Sequence, residues 1–132
     1  MTRKEIKKLD LIWATLVKDK AGWKCEHCGV SGTRMEAAHV VGRRHRATRW
    51  GTFIDNDLCG HCLCHSCHQH YDEHGPLEQA IVNDTIGEQR KEDLQNYATQ
   101  TIAKYQVFDE IKELLERLDH ERILHTQDKN RT

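Results

Sequence analysis

The chain has 132 residues, which is the length of about one domain. It is 37% hydrophobic and 31% charged with a single Pro, and this composition excludes a disordered or collagen-like chain. No run of about 18 apolar residues is present, so no membrane-spanning helix is predicted. The first ten residues are charged and lack an apolar signal segment, so we expect a cytoplasmic location. Six Cys in such a chain indicate metal ligands rather than disulfides, and ten His point the same way.

The net charge of −1 conceals an uneven distribution along the chain. Residues 1–54 carry 12 Lys or Arg against 5 Asp or Glu, whereas residues 55–132 carry 8 against 16. The basic half can face a polyanion while the acidic half faces away from it. Two oppositely charged, solvated helical ends explain the same distribution equally well, so charge alone leaves this choice open.

Apolar spacing divides a single domain into four segments: 1–22, 23–75, 76–125 and 126–132. The first segment is predicted to be an N-terminal helix, because apolar residues recur at helical spacing over 3–18. The third returns to helical spacing, with Pro76 suited to a first helical turn, and predicts three C-terminal helices. The last segment is a polar tail that we expect to be frayed.

The central segment holds all six Cys and shows no helical periodicity. Short apolar pieces at 35–41 and around 53–54 are compatible with strands, and 64–73 is compatible with a short helix. This segment therefore contains both the candidate strands of the fold and the candidate metal ligands.

Two Cys-x-x-Cys knuckles predict a tetrahedral zinc site formed by four thiolates, from Cys25, Cys28, Cys64 and Cys67. Each two-residue spacer lets one tight turn present two sulfurs. The 35 residues between the knuckles exceed the spacing of about 15–20 found in zinc ribbons, which indicates a functional insertion.

A third pair, Cys59 and Cys62, competes for the same role because it can also complete a site with the first knuckle. We favour the pair that begins at Cys64, because Cys62 and Cys64 are too close together to serve one site without distortion. Cys59 and Cys62 are then either free thiols or ligands of a second metal with nearby His.

The insertion contains His39 in a short apolar stretch and Asn56 after an arginine-rich loop, and His68 follows the second knuckle directly. This order of His, Asn and Cys-x-x-Cys-His over residues 25–74 resembles the HNH endonuclease family, especially phage-borne members of the NinG recombination type. Together with the helices that the spacing predicts, the resemblance implies an α+β, mostly helical fold. Its ββα-metal core would be stapled by a structural zinc and flanked by an N-terminal helix and C-terminal helices.

The resemblance implies a metal-dependent DNA endonuclease, in the host cytoplasm if the chain is phage-encoded. His39 would act as the general base, Asn56 would orient His39 or reach the ion, and His68 would bind a catalytic Mg²⁺ or Mn²⁺. The residues suit this chemistry, because phosphodiester hydrolysis needs a base that works near neutral pH and a cation that neutralises the developing charge.

The chain departs from the family pattern at Ala38, where many members carry an Asp metal ligand directly before the first His. The ion would then depend on His68, Asn56 and substrate phosphate. Asp72, four residues after His68 and on the same predicted helix face, is a candidate second ligand. Cys64 follows Asn56 by eight positions, a wider gap than in the family, which a small insertion carrying Cys59 and Cys62 would explain.

Four arginines crowd the loop between the predicted base and Asn56, with no acid among them: Arg43, Arg44, Arg46 and Arg49. Guanidinium groups match phosphate oxygens bidentately, so this loop is predicted to grip the DNA backbone. A solvated basic loop is the simpler alternative.

Three functions of different classes remain open: a metal-dependent DNA endonuclease, a zinc-stapled nucleic-acid-binding module without catalysis, and a structural zinc domain for protein contacts. The ordered set of His39, Asn56 and His68 argues against the third, which does not need it. Ala38 makes the second harder to exclude. The sequence does not set the oligomeric state.

Overall fold

The computed structural model describes residues 2–32, 34–40, 49–50, 58–72, 78–99 and 104–130. Within these residues it is a mixed α+β structure of five helices and one small sheet. In chain order the elements are α1 (Arg3–Lys20), β1 (Glu36–His39), β2 (Gly60–Leu63), α2 (His65–Asp72), α3 (Glu78–Asp84), α4 (Glu88–Thr99) and α5 (Lys104–Asn130). The mostly helical α+β class predicted from the sequence is therefore observed.

Helix α1 covers the predicted helix over 3–18 and extends it to Lys20. Thr2 caps its N-terminus, where the hydroxyl oxygen accepts a hydrogen bond from the Glu5 backbone N–H at 3.2 Å. The predicted apolar stripe faces inward, with Leu9 and Trp13 among its buried members. The helix therefore packs on the centre of the molecule along the face that its periodicity predicts.

The sheet consists of β1 and β2, which pair antiparallel with Glu36 opposite Leu63 and His39 opposite Gly60. The face that carries His39 lies against α1, and Gly60 is required there. A Cβ atom at Gly60 would lie 2.7 Å from Trp13 and 2.8 Å from Val17, so only Gly allows this approach. The opposite face carries Glu36 and lies against α2, so the sheet is covered on both sides.

Strand β2 was not predicted, and the alternative strand proposed around 53–54 lies outside the described residues. Its pattern is hidden because both faces of the strand are buried. His61, Cys62 and Leu63 are all fully buried, so the strand shows no alternation of apolar and polar residues. The segment was instead interpreted as a cysteine knuckle.

The C-terminal helices follow the predicted spacing in part. Ile81 and Leu94 are fully buried, and Gly87 separates α3 from α4 with a left-handed φ of +81°. The predicted helix over 108–118 is the middle of a longer helix, because α5 runs from Lys104 to Asn130. The tail predicted from residue 126 therefore begins as helix. These residues continue the preceding turns of α5, and the Thr126 hydroxyl donates to the Arg122 carbonyl one turn earlier at 3.0 Å.

Helix α5 packs on α1, and its Leu115 and Leu118 join the C-terminal segment to the central core. Among the described residues, no helix combines the length and the apolar character needed to cross a membrane.

Candidate metal centre and flanking histidine site

Four cysteines converge on one point, as the spacing of the knuckles predicts: Cys25, Cys28, Cys64 and Cys67. Their sulfur atoms all lie within 4.8 Å of one another. The Sγ atoms of Cys28 and Cys64 are 3.7 Å apart. A tetrahedral Zn²⁺ with bonds of about 2.3 Å separates its sulfurs by about 3.8 Å, so the four thiols fit a metal such as zinc.

Local backbone geometry presents these sulfurs. The first knuckle is a tight turn in which Cys25 N–H donates to the Val30 carbonyl at 2.8 Å and Gly29 N–H donates to the Cys25 carbonyl at 3.1 Å. Gly29 has a φ of +81°, a conformation that Gly adopts without strain. In the second knuckle, Cys64 follows β2 and Cys67 lies in α2. The cluster therefore ties the turn, the sheet and α2 together.

The electrostatics of the cluster favour a bound cation. Burial raises the pKa of Cys25, but backbone N–H groups of Cys64 and Cys28 directed at its sulfur outweigh burial and lower that pKa to about 6. Burial and the neighbouring thiols of Cys64 and Cys25 raise the pKa of Cys67. The Cys25 thiol therefore ionises readily while the Cys67 thiol resists ionisation, and a divalent cation removes that resistance.

The competing pair, Cys59 and Cys62, does not belong to this group. Both residues are fully buried, and all six cysteines, which lie in the described part of the chain, are without disulfides. Cys62 occupies β2, where its backbone N–H donates to a Glu26 carboxylate oxygen. Burial and the Glu26 charge raise the pKa of the Cys62 thiol to about 11. Cys62 is therefore a protonated core residue that anchors the first knuckle to the sheet.

His39 lies at the end of β1 and stacks on the indole of Trp13, with ring centroids 4.1 Å apart and an angle of 15° between the planes. Its Nε2 atom is buried. Trp13 also donates from Nε1 to the Leu58 carbonyl at 2.6 Å. One side chain of α1 therefore holds both His39 and the chain two residues after Asn56, which itself lies outside the described residues.

Asp10, one turn before Trp13 on α1, holds Arg49 and Trp50. Its carboxylate accepts two hydrogen bonds from Arg49, at 3.1 and 2.8 Å, and one from Trp50 at 2.8 Å. Burial raises the Asp10 pKa, but the bonds from Arg49 and Trp50 outweigh it and hold the pKa below its usual value. The Arg49 guanidinium thus faces a carboxylate of this chain. The three other loop residues lie outside the described residues: Arg43, Arg44 and Arg46.

Replacing Asp10 with Asn is expected to lower the free energy of unfolding by about 1–2 kcal/mol, because Arg49 and Trp50 lose a charged acceptor of nearly unchanged shape. Denaturant unfolding followed by Trp fluorescence measures the change. Lys8→Ala is the matched control, since Lys8 lies on the same helix as Asp10 but forms only an exposed ion pair, with Nζ 3.8 Å from a Glu116 carboxylate oxygen. That control should cost at most about 0.5 kcal/mol. Equal losses in both variants would contradict an anchoring role for Asp10.

His68 lies on α2, directly after Cys67, with its side chain 21% exposed. Its Nδ1 atom lies 2.8 Å from Oε1 of Glu36, and Nδ1 of His65 lies 3.0 Å from Oε2 of the same carboxylate. Burial raises the pKa of Glu36, but the bonds to His68 and His65 outweigh it and lower the pKa. The side chain of Asp72, the predicted second ligand, lies outside what the structure describes.

Three residues of this region were missed by sequence reasoning: Asp10, Trp13 and Glu36. Asp10 and Trp13 lie in a helix whose apolar stripe indicates only core packing. Glu36 carried a usable signal, because it lies two positions before Ala38 in a predicted strand and so shares a sheet face with that position. A carboxylate on that face was the feature to look for once Ala38 had replaced the usual acid.

No protein-family model matches the chain, and no curated protein or solved structure shows significant similarity to it. The functional argument therefore depends on the chemistry of the site. A four-thiol cluster can hold zinc, while His39 and His68 lie on opposite faces of one small sheet beside it. Imidazoles held on short rigid elements suit acid–base chemistry and metal binding.

Proposed function

We propose that this chain is a metal-dependent DNA endonuclease of HNH type that hydrolyses phosphodiester bonds with a His general base and a divalent cation. One observation carries the proposal. Two antiparallel strands are followed by a helix, with His39 ending the first strand and His68 on the helix directly after the cysteine cluster. This order of strands, cysteine cluster and helix along the chain supports the proposal of a ββα-metal core.

Each element of the arrangement has a chemical role in the proposal. His39 takes the proton from the attacking water, and Asn56 accepts from its other ring nitrogen or reaches the ion. A bound Mg²⁺ or Mn²⁺ neutralises charge on the phosphate and on the leaving oxygen. His68, Asn56 and Asp72, together with an oxygen of the substrate phosphate, would hold that ion.

The zinc in this proposal is structural. The two strands offer four residues each, which is too little apolar area to hold a catalytic motif in place. The cysteine cluster joins the turn before β1 to the junction of β2 and α2, with Cys64 between these elements and Cys67 within α2. Metal binding would therefore stabilise the active conformation directly.

His68→Ala is expected to remove plasmid cleavage largely by weakening the bound ion, so excess Mn²⁺ should restore part of the activity. Cleavage measured over a range of Mn²⁺ concentrations tests this, because the variant curve should shift to higher concentration. His70→Ala is the control, since His70 is an exposed residue of the same helix. A His68→Ala variant with the parental metal dependence would contradict the assignment.

DNA binding is assigned mainly to Arg43, Arg44 and Arg46. Replacing two of them with Ala should weaken binding about equally on unrelated duplexes and reduce the salt slope by about 0.9 for each lost phosphate contact. Fluorescence anisotropy at several salt concentrations, without the catalytic ion, measures both quantities. Lys18→Ala with Lys20→Ala is the control, because these exchanges remove equal charge at the far end of α1. An unchanged slope in the arginine variant would contradict the contact.

A zinc-stapled nucleic-acid-binding module without catalysis is the second candidate. Two features of His39 favour it: the ring packs on the core indole of Trp13 with Nε2 buried, and it lies on the face of the sheet opposite His68. A histidine placed in this way can serve folding alone. Measuring DNA binding and plasmid cleavage on the same protein distinguishes the two functions. The module would bind DNA with the predicted salt dependence but would leave supercoiled plasmid uncut with magnesium, manganese, cobalt or nickel.

A further inference from the structure

We infer that Glu36 is a positioning residue that orients the His68 imidazole so that Nε2 is the nitrogen offered to the catalytic ion. The inference rests on the proposed function, because it concerns the ion that His68 would bind. It assigns a role to a residue that the ordered His, Asn and His pattern does not include.

The hydrogen bond fixes the tautomer. A carboxylate accepts hydrogen bonds, so the 2.8 Å contact to Oε1 of Glu36 requires His68 Nδ1 to donate. A neutral imidazole that donates from Nδ1 carries its lone pair on Nε2. Metal-binding histidines commonly donate their second ring N–H to a carboxylate in this way, which fixes ring orientation and makes the ligand nitrogen more basic. His68 is thus prepared as an Nε2 ligand.

Both residues of this contact have backbones that are held in place. Glu36 begins β1 and is held in register by its pairing with Leu63. The position of His68 is set by its neighbour Cys67, a member of the four-thiol cluster. The cluster therefore places the Cα atom of His68, while Glu36 places the ring. A freely solvated pair would have neither constraint, and the pair is only partly exposed, at 21% for His68 and 40% for Glu36.

His65 supplies the internal comparison. Its Nδ1 contacts the second oxygen of the same carboxylate at 3.0 Å, but its side chain is 78% exposed. Removing His65 takes away one of the two hydrogen bonds of Glu36 and leaves the bond to His68. A general electrostatic role of Glu36 would respond to both histidines, whereas a positioning role responds to His68.

The test uses the full-length, zinc-loaded protein with the substitutions Glu36→Ala, Glu36→Gln and His65→Ala. Imidazole tautomers are assigned from two-bond ¹H–¹⁵N correlation spectra at about pH 8, above the ordinary His pKa. The His68 signals are identified by their loss in His68→Ala. Mn²⁺ binding is measured directly by electron paramagnetic resonance, and plasmid cleavage is followed over the same Mn²⁺ range. Zinc content and thermal unfolding show that each variant is folded.

We expect wild-type His68 to carry its proton on Nδ1 and Glu36→Ala to shift it toward Nε2. Mn²⁺ affinity should fall by about 10–100-fold in Glu36→Ala, the usual effect of losing such a carboxylate. Cleavage at saturating Mn²⁺ should recover, because the chemical step itself is intact. Glu36→Gln should retain part of the affinity, since its carbonyl oxygen still accepts from Nδ1. His65→Ala should match the parent in tautomer and affinity.

A wild-type His68 that is protonated on Nε2, or unchanged Mn²⁺ affinity in Glu36→Ala, would overturn the inference while cleavage by the parent still supported the proposed function. A parent protein that binds no Mn²⁺ and cuts no DNA would overturn the proposed function, and the positioning role would fail with it. The tautomer spectra distinguish the two failures because they need neither ion nor substrate.

Discussion

Replacing His39 with Ala is expected to slow plasmid cleavage by about 10²–10⁴-fold, the usual contribution of a general base. DNA affinity and zinc content should stay close to the parental values, because a base acts on the chemical step. The lost stack on Trp13 should cost only about 1 kcal/mol of stability. Single-turnover cleavage at saturating protein measures the chemical step separately from binding.

His120→Ala is the matched control for this experiment, since His120 is an exposed residue of α5 away from the sheet. It should cut DNA at the parental rate. If His39→Ala also cuts at that rate, His39 is not the base, and its place on Trp13 is a packing role alone.

Removing the metal from the cysteine cluster is expected to unfold the central part of the protein. Structural Zn²⁺ contributes about 10–16 kcal/mol of apparent binding free energy at neutral pH, which exceeds the stability of a typical small domain. Cys25→Ser should therefore yield protein without stoichiometric zinc and with a lost or strongly lowered thermal transition. Elemental analysis and circular dichroism of the parent and the variant measure these two quantities.

Cys59→Ala is the control, because Cys59 is as deeply buried as Cys25 but lies outside the cluster. It should keep one zinc per chain and lose about 1 kcal/mol of stability from the vacated space. Zinc-free parent protein with an unchanged transition would contradict the structural role. Loss of zinc from Cys59→Ala would instead reopen the competing pair as a ligand set.

Local patterns in the sequence were sufficient for the first helix and for the cysteine cluster. A helical stripe or a Cys-x-x-Cys turn is written within a few residues, and the structure places Cys25 and Cys64 together as the spacing predicts. The same patterns did not predict strand β2, because burial on both faces removes the alternation of apolar and polar residues that marks a strand. Spacing favoured the pair that begins at Cys64 over the pair that begins at Cys59, and the packing of the thiols confirms that preference.

The surroundings of the two histidines depend on contacts between distant parts of the chain. Trp13 reaches Leu58 across 45 positions, and Glu36 reaches His68 across 32. No local periodicity encodes such pairs. His39 and His68 could be singled out from their order relative to the knuckles. Of the residues that hold them, Glu36 left a signal in its position two residues before Ala38, whereas the role of Trp13 could be found only from the fold.

The most direct test of the account is cleavage of supercoiled plasmid by zinc-loaded protein, first without added ion and then with Mg²⁺ or Mn²⁺. The account predicts no cleavage without the ion, nicked or linear product with it, and loss of that product when His39 is replaced by Ala. Intact plasmid with magnesium, manganese, cobalt and nickel alike, from protein that holds zinc and binds DNA, would contradict the nuclease assignment and leave a zinc-stapled binding module.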